Sequence, residues 1–117
     1  MDRFLEHQLF LLIERRDVKN AKILLENELF NRDSINQGLY LAVSSFDKLM
    51  VKLLLVKGAD PNLLFGSLQR TPLLQAVWHD LYDIAKLLLE YGANPYMMDR
   101  YNQIPLDFAR RYRDQKL

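Results

Sequence analysis

The side chains in this chain best suited to chemistry are two histidines, and they stand far apart, at His7 and His79. A catalytic triad needs a base within reach of a nucleophile and an orienting carboxylate, and no serine or aspartate falls at a spacing that suggests one. Cysteine is absent altogether. That removes disulfides, thiol nucleophiles and thiolate metal sites, and two separated histidines do not form the ligand cluster that zinc needs. No glycine-rich loop resembles a phosphate cradle. The sequence therefore predicts no enzyme, no cofactor, no metal and no small-molecule substrate. His79 reads as a surface or hydrogen-bonding histidine; a pocket joining His79 to Asp80 with a perturbed carboxylate would argue for catalysis instead.

Charge gives little more. Sixteen basic residues stand against fifteen acidic ones, a net charge of +1, which argues against a dedicated nucleic-acid binder. The basic end, Arg100 with Arg110, Arg111, Arg113 and Lys116, is suited to an acidic protein patch or to phosphates. With no strong basic excess in the chain, the favoured reading is a charged helix terminus, where cations favour the negative end of the dipole. The apolar run Leu9-Phe10-Leu11-Leu12-Ile13 is too short to span a bilayer and lacks the charged lead of a secretory signal. No membrane association is expected. The chain can fold in a reducing cytoplasm, that of the producing cell or of a host cell if it acts as an effector.

With chemistry sparse, the elements that position side chains carry the reading. Gly58-Ala59-Asp60-Pro61-Asn62 recurs as Gly92-Ala93-Asn94-Pro95, at a spacing of 92 − 58 = 34 residues. Other columns keep the same step: Leu39, Leu73 and Leu106; Ala42, Ala76 and Ala109; Leu53-Leu54-Leu55 and Leu87-Leu88-Leu89. A fixed period of this length marks a repeat architecture. Between the recurring phrases, Ile84, Leu87, Leu88 and Tyr91 fall at three- and four-residue steps, one face of a helix. Asp80 is expected to cap that helix and Gly92 to end it in the left-handed conformation. Thr71-Pro72 predicts the start of the preceding helix, the hydroxyl as cap and the proline in the first turn. Two short helices in tandem cannot bury their apolar faces alone, so each pair must stack on a neighbour.

Thr71-Pro72-Leu73-Leu74-Gln75-Ala76 closely resembles the T-P-L-H-x-A signature of the ankyrin repeat, with Leu74 in place of the usual histidine. The Gly-Ala-Asp-Pro-Asn phrase is similar to that family's inter-repeat turn. The resemblance is strong over 51–109 and weaker before it. It implies an all-α, ankyrin-type solenoid of stacked helix-turn-helix repeats with short β-hairpin fingers, about three full repeats plus a C-terminal half-repeat cap. The expected divisions are an N-terminal capping repeat at 1–30, a second repeat at 34–58, a third at 59–92 and a partial repeat at 93–117. In the first, Met1 to Arg16 supplies one helix and Asp17 to Asn27 the next, with Asp17 as cap and Ala21, Leu24 and Leu25 buried. No Gly-Ala-Asp phrase joins the first repeat to the second, so the projecting turn there should be reduced. Gly38 stands where the family has proline, and Ile104 where it has threonine.

In ankyrin repeats the partner usually meets the hairpin tips and the inner-helix positions just after the alanine column. The resemblance thus points to Ser44, Ser45, Trp78, His79, Arg111 and Tyr112 as a concave stripe, and to Phe65, Leu68, Arg70, Arg100, Tyr101 and Gln103 on the fingers. Trp, Tyr and Arg are the types that most often dominate binding energy. For Trp78 the alternative is packing between repeats. The implied function is a non-catalytic module that binds a folded protein partner, as an inhibitor or immunity-type protein or as an adaptor or effector scaffold. A monomer is expected; self-association through Leu106 and Phe108 of the last half-repeat is the structural alternative.

Overall fold

Each helix among the described residues is begun or ended by a side chain or backbone geometry that the local sequence supplies. The computed structural model describes residues 3–108 and places six helices in them. These are α1 (Arg3–Glu14), α2 (Val18–Asn27), α3 (Arg32–Ser44), α4 (Lys48–Val56), α5 (Pro72–Trp78) and α6 (Tyr82–Glu90). Pro105 to Phe108 begin a further helical turn. The candidate site residues Arg111 and Tyr112, the column alanine Ala109 and the basic segment from Arg110 lie outside the described residues.

N-caps come from Asp17, Asn31, Asp47 and Thr71, each accepting the backbone N–H three residues on. Such caps satisfy donors that a helix leaves unpaired at its start. At the other end, five helices close alike. In α4, Gly58 N–H donates to Leu55 O at 3.0 Å and Ala59 N–H to Leu54 O at 3.0 Å; in α6, Gly92 and Ala93 bond Leu89 and Leu88 in the same way. This double closure requires a left-handed residue just past the helix. Gly58 and Gly92 provide it, at φ +96° and +95°. After α1, α3 and α5 the same position falls on Arg16, Phe46 and Asp80, at φ near 60°, a conformation that costs an L-residue roughly 1–2 kcal/mol.

Asp80 is thus the closing residue of α5 rather than the cap of α6. The cap position of α6 is Leu81, which offers no side-chain acceptor, and the Asp80 carboxylate instead accepts the Tyr82 hydroxyl at 3.2 Å. A second difference concerns α3. It starts at Arg32 on an Asn31 cap, well ahead of the Gly38 column where the family's proline would open a helix. Gly38 lies inside the helix, and a Cβ there would stand 3.1 Å from Ile13 Cδ1 and 3.5 Å from Leu54 Cδ2. The missing side chain lets α3 sit close to its neighbours, which offsets glycine's poor helix propensity.

The chain forms two compact units, Met1–Asp60 and Pro61–Leu117. In the first, α1 packs on α2 and α3, and α4 packs on α3 and α2. Leu9, Ile13, Ala21, Leu39, Ala42, Val43, Met50, Val51 and Leu54 fill its core, with Leu25 buried and Leu24 half-buried. Polar links reinforce the stack. The Ser34 hydroxyl donates to the Glu6 carboxylate, Asn36 Oδ1 accepts the Asp60 N–H at 2.7 Å, and Arg16 donates to Ser45 O at 2.9 Å. Only Glu28 to Asn31 separate α2 from α3, so no finger projects there.

In the second unit α5 packs on α6, and the two fingers are turns rather than stranded hairpins. Phe65 and Arg70 exchange both backbone hydrogen bonds, at 2.8 and 3.0 Å, as an isolated bridge. The next finger is closed by Asp99 N–H on Gln103 O at 3.0 Å, one residue shorter, in step with the 12 residues from Gly92 to Ile104 against 13 from Gly58 to Thr71. Asn62 ties their bases, its Oδ1 accepting the Asn94 N–H at 2.7 Å and its Nδ2 donating to Gly92 O at 3.1 Å. Ile104 has no hydroxyl to cap the last helical turn, and the Asp107 carboxylate reaches back to the Ile104 N–H at 2.8 Å, one half of a capping box.

The cap of α2 is a carboxylate, that of Asp17. Its side-chain and backbone hydrogen bonds from Asn20 hold the carboxyl below its ordinary value. A depressed carboxylate adds stability above its unfolded pKa, about 3.9, and that stability is lost as pH falls through the folded value. Thermal unfolding of Asp17→Asn, which keeps an acceptor, is expected to match wild type at neutral pH and to fall less steeply below about pH 4. Identical acid profiles would remove the role.

Candidate functional site

Fingertip chemistry starts from Asp99. Its Oδ1 accepts the N–H groups of Tyr101 at 2.8 Å and Gln103 at 3.0 Å, a turn that aspartate builds from its own side chain. Asp99 Oδ2 then faces Arg70 Nε at 3.6 Å, and both residues are buried, at 5 % and 6 % exposure. This separation is an ion pair but too long for a hydrogen bond, and neither atom has another partner. The Arg70 guanidinium also lies 4.5 Å from the Trp78 ring centre and 5.3 Å from that of Phe108. Trp78 and Phe108 meet edge to face, with centroids 5.2 Å apart and planes at 74°, the geometry that ring quadrupoles favour. Cation–π attraction is strongest where the cation is desolvated, as the buried Arg70 is.

Arg70 is therefore not a rim cation at a fingertip. It turns inward because Asp99 and two aromatic rings offer it more than solvent does. Phe108 is buried on the same cluster, whereas Leu106 is half exposed. Trp78 is divided between the two readings the sequence allows. It packs on Arg70 and Phe108 and remains 45 % exposed.

The second unit brings most of the remaining candidates into one region. Arg100 N–H donates to Leu68 O at 2.9 Å, joining the two tips. Tyr101 is 66 % exposed, and Phe65, Leu68 and Gln103 are half-buried. Tyr96 at 75 % and Met98 at 55 %, with Leu63 and Leu64, extend the apolar surface. His79 is exposed beside Gln75, whose amide nitrogen lies 3.1 Å from its Nε2. Ser44 and Ser45 end α3 in the first unit, the one exposed and the other half-buried. Tyr96 was not among the residues the family pattern selects; its signal was the Asn94-Pro95 turn that must carry it to the surface.

Among the described residues no three His, Asp or Glu side chains cluster to hold a metal, and no helix is long and apolar enough to cross a membrane. What the geometry does define is a helical repeat protein whose second unit carries hydrogen-bonded turns with exposed apolar side chains. The chain belongs to the ankyrin repeat family: the family's three-copy repeat model matches residues 9–99. A putative ankyrin repeat protein, R664, of Acanthamoeba polyphaga mimivirus is 42 % identical over 53 % of this chain and 38 % of its own length. A putative ankyrin repeat-containing protein of Treponema pallidum is 33 % identical over 73 % of this chain and 28 % of its own. Ankyrin repeat and SOCS box protein 2 of mouse is 39 % identical over 72 % and 12 %. The chain thus spans well under half of each of these relatives. Among solved structures, the ankyrin repeat domain of Bcl-3, a member of the IkappaB protein family, superposes with a TM-score of 0.79 at 27 % identity over 86 % of this chain and 47 % of that one. Ankyrin repeats are in general protein–protein interaction modules.

Proposed function

We propose that this chain is a non-catalytic module that binds a folded protein partner through the fingertips and Trp78 of its second unit, acting on a single partner as an inhibitor or immunity-type protein. The observation that carries this reading is the pairing of exposed aromatic and apolar side chains with a pinned backbone. Tyr101, Tyr96, Met98 and Trp78 are solvent-facing, while the loops beneath them are tied by Asn62, Asp99 and the Arg100–Leu68 bond. A surface held in this way loses little conformational entropy on association, and large aromatics at its centre supply most of the energy. The cysteine-free composition suits a cytoplasmic setting. The adaptor reading draws on a relative far longer than the matched segment, ankyrin repeat and SOCS box protein 2 of mouse, of which the match spans 12 %.

Its test is affinity capture from the source cell followed by binding measurements on the captured protein. Tyr101→Ala is expected to weaken binding by ~2 kcal/mol, the loss of a centrally placed aromatic, without changing the unfolding temperature. Trp78→Ala is expected to weaken binding and also lower stability, since Trp78 covers Arg70 and Phe108. A captured partner indifferent to both changes would move the binding surface off the second unit.

A further inference from the structure

The fingers present charge of one sign only. In the two loops at 61–71 and 92–104 the side chains charged at neutral pH are Arg70, Asp99 and Arg100. Arg70 and Asp99 are buried against each other. Arg100 is left as the exposed charge of these loops, and no exposed carboxylate stands in either of them. Its position is fixed from both sides, by its own N–H on Leu68 O and by the Asp99 carboxylate that holds the backbone of Tyr101 and Gln103. On the same two loops Leu63, Leu64, Tyr96, Met98 and Tyr101 are exposed.

Such a surface discriminates by charge. An approaching carboxylate meets an exposed guanidinium, carried on a pinned backbone, whose planar donors match its two oxygens, while an approaching cation meets its repulsion. Apolar side chains beside that carboxylate would cover Leu64 and Tyr101, and Met98 adapts its shape to them. Resting on the fingertip reading above, we infer that the segment of the partner seated on these fingers is acidic and apolar: a carboxylate paired with Arg100, flanked by aliphatic or aromatic residues.

A displayed library of random peptides, selected in parallel on wild type and on Arg100→Glu, tests this. Peptides from wild type are expected to be enriched in Asp or Glu next to apolar residues, and a synthetic peptide of that consensus to bind about tenfold or more weakly to Arg100→Ala. Selection on Arg100→Glu is expected to favour Lys or Arg at the same place. Wild-type peptides without acidic enrichment, or with affinity unchanged in Arg100→Glu, overturn the inference. If those peptides still lose affinity to Tyr101→Ala, the fingertip surface itself stands. Peptides indifferent to both positions, or no enrichment at all, count against the inference and against the fingertips together.

Discussion

Replacing Arg70 by alanine is expected to cost ~3–5 kcal/mol of stability, the penalty for stranding one member of a buried ion pair. Asp99 would keep its two backbone hydrogen bonds through Oδ1, but Oδ2 would stay buried with its charge unopposed. The change would also uncover the faces of Trp78 and Phe108 that the guanidinium now covers. Trp78 is the chain's one tryptophan, so its fluorescence should shift to longer wavelength in the folded variant. Urea unfolding measures the energy. The double change Arg70→Met with Asp99→Asn is expected to recover most of the loss, because a neutral amide still accepts from Tyr101 and Gln103 while methionine refills the volume. If Arg70→Ala alone were as stable as wild type, the cluster would not hold the fingers to α5.

That cluster shows where sequence reasoning stops. Arg70 and Asp99 come from different fingers and meet only through the fold. A period of 34 residues says which positions correspond, not which long side chain turns inward, and an arginine beside a glycine-containing turn reads as solvent-facing. Local chemistry was legible for the opposite reason. Thr71 with Pro72, Asp17, Gly58 and Gly92 act on backbone groups within four residues, so their roles follow from covalent geometry and capping. Asp80 was misread by one position. The repeat step carries the Asp47 cap onto Leu81, and α5 needs a left-handed residue before it, a place aspartate tolerates. The Gly38 column misled likewise, since the Asn31 cap lies outside the family's motif and glycine is retained there for space between Ile13 and Leu54.

The repeat register itself makes the other large prediction, through the column Leu24, Leu54 and Leu88. Leu54 and Leu88 are wholly buried, and Leu24 is half-buried. Truncation removes the transfer energy of the deleted atoms and leaves a cavity that the surroundings close only in part. Leu54→Ala and Leu88→Ala should therefore each cost ~2–5 kcal/mol. Leu24→Ala should cost less, about 1–2 kcal/mol, since part of its surface never left water. Urea unfolding of the three variants checks the ordering, and equal losses would mean that Leu24 is packed as completely as Leu54 and Leu88. The consequence for function separates core from surface. Leu88→Ala lowers the folded fraction and leaves the affinity of the folded molecule for its partner unchanged, whereas Tyr101→Ala does the reverse. A loss of affinity in folded Leu88→Ala would mean that packing in α6 sets the position of the fingers as well as their stability.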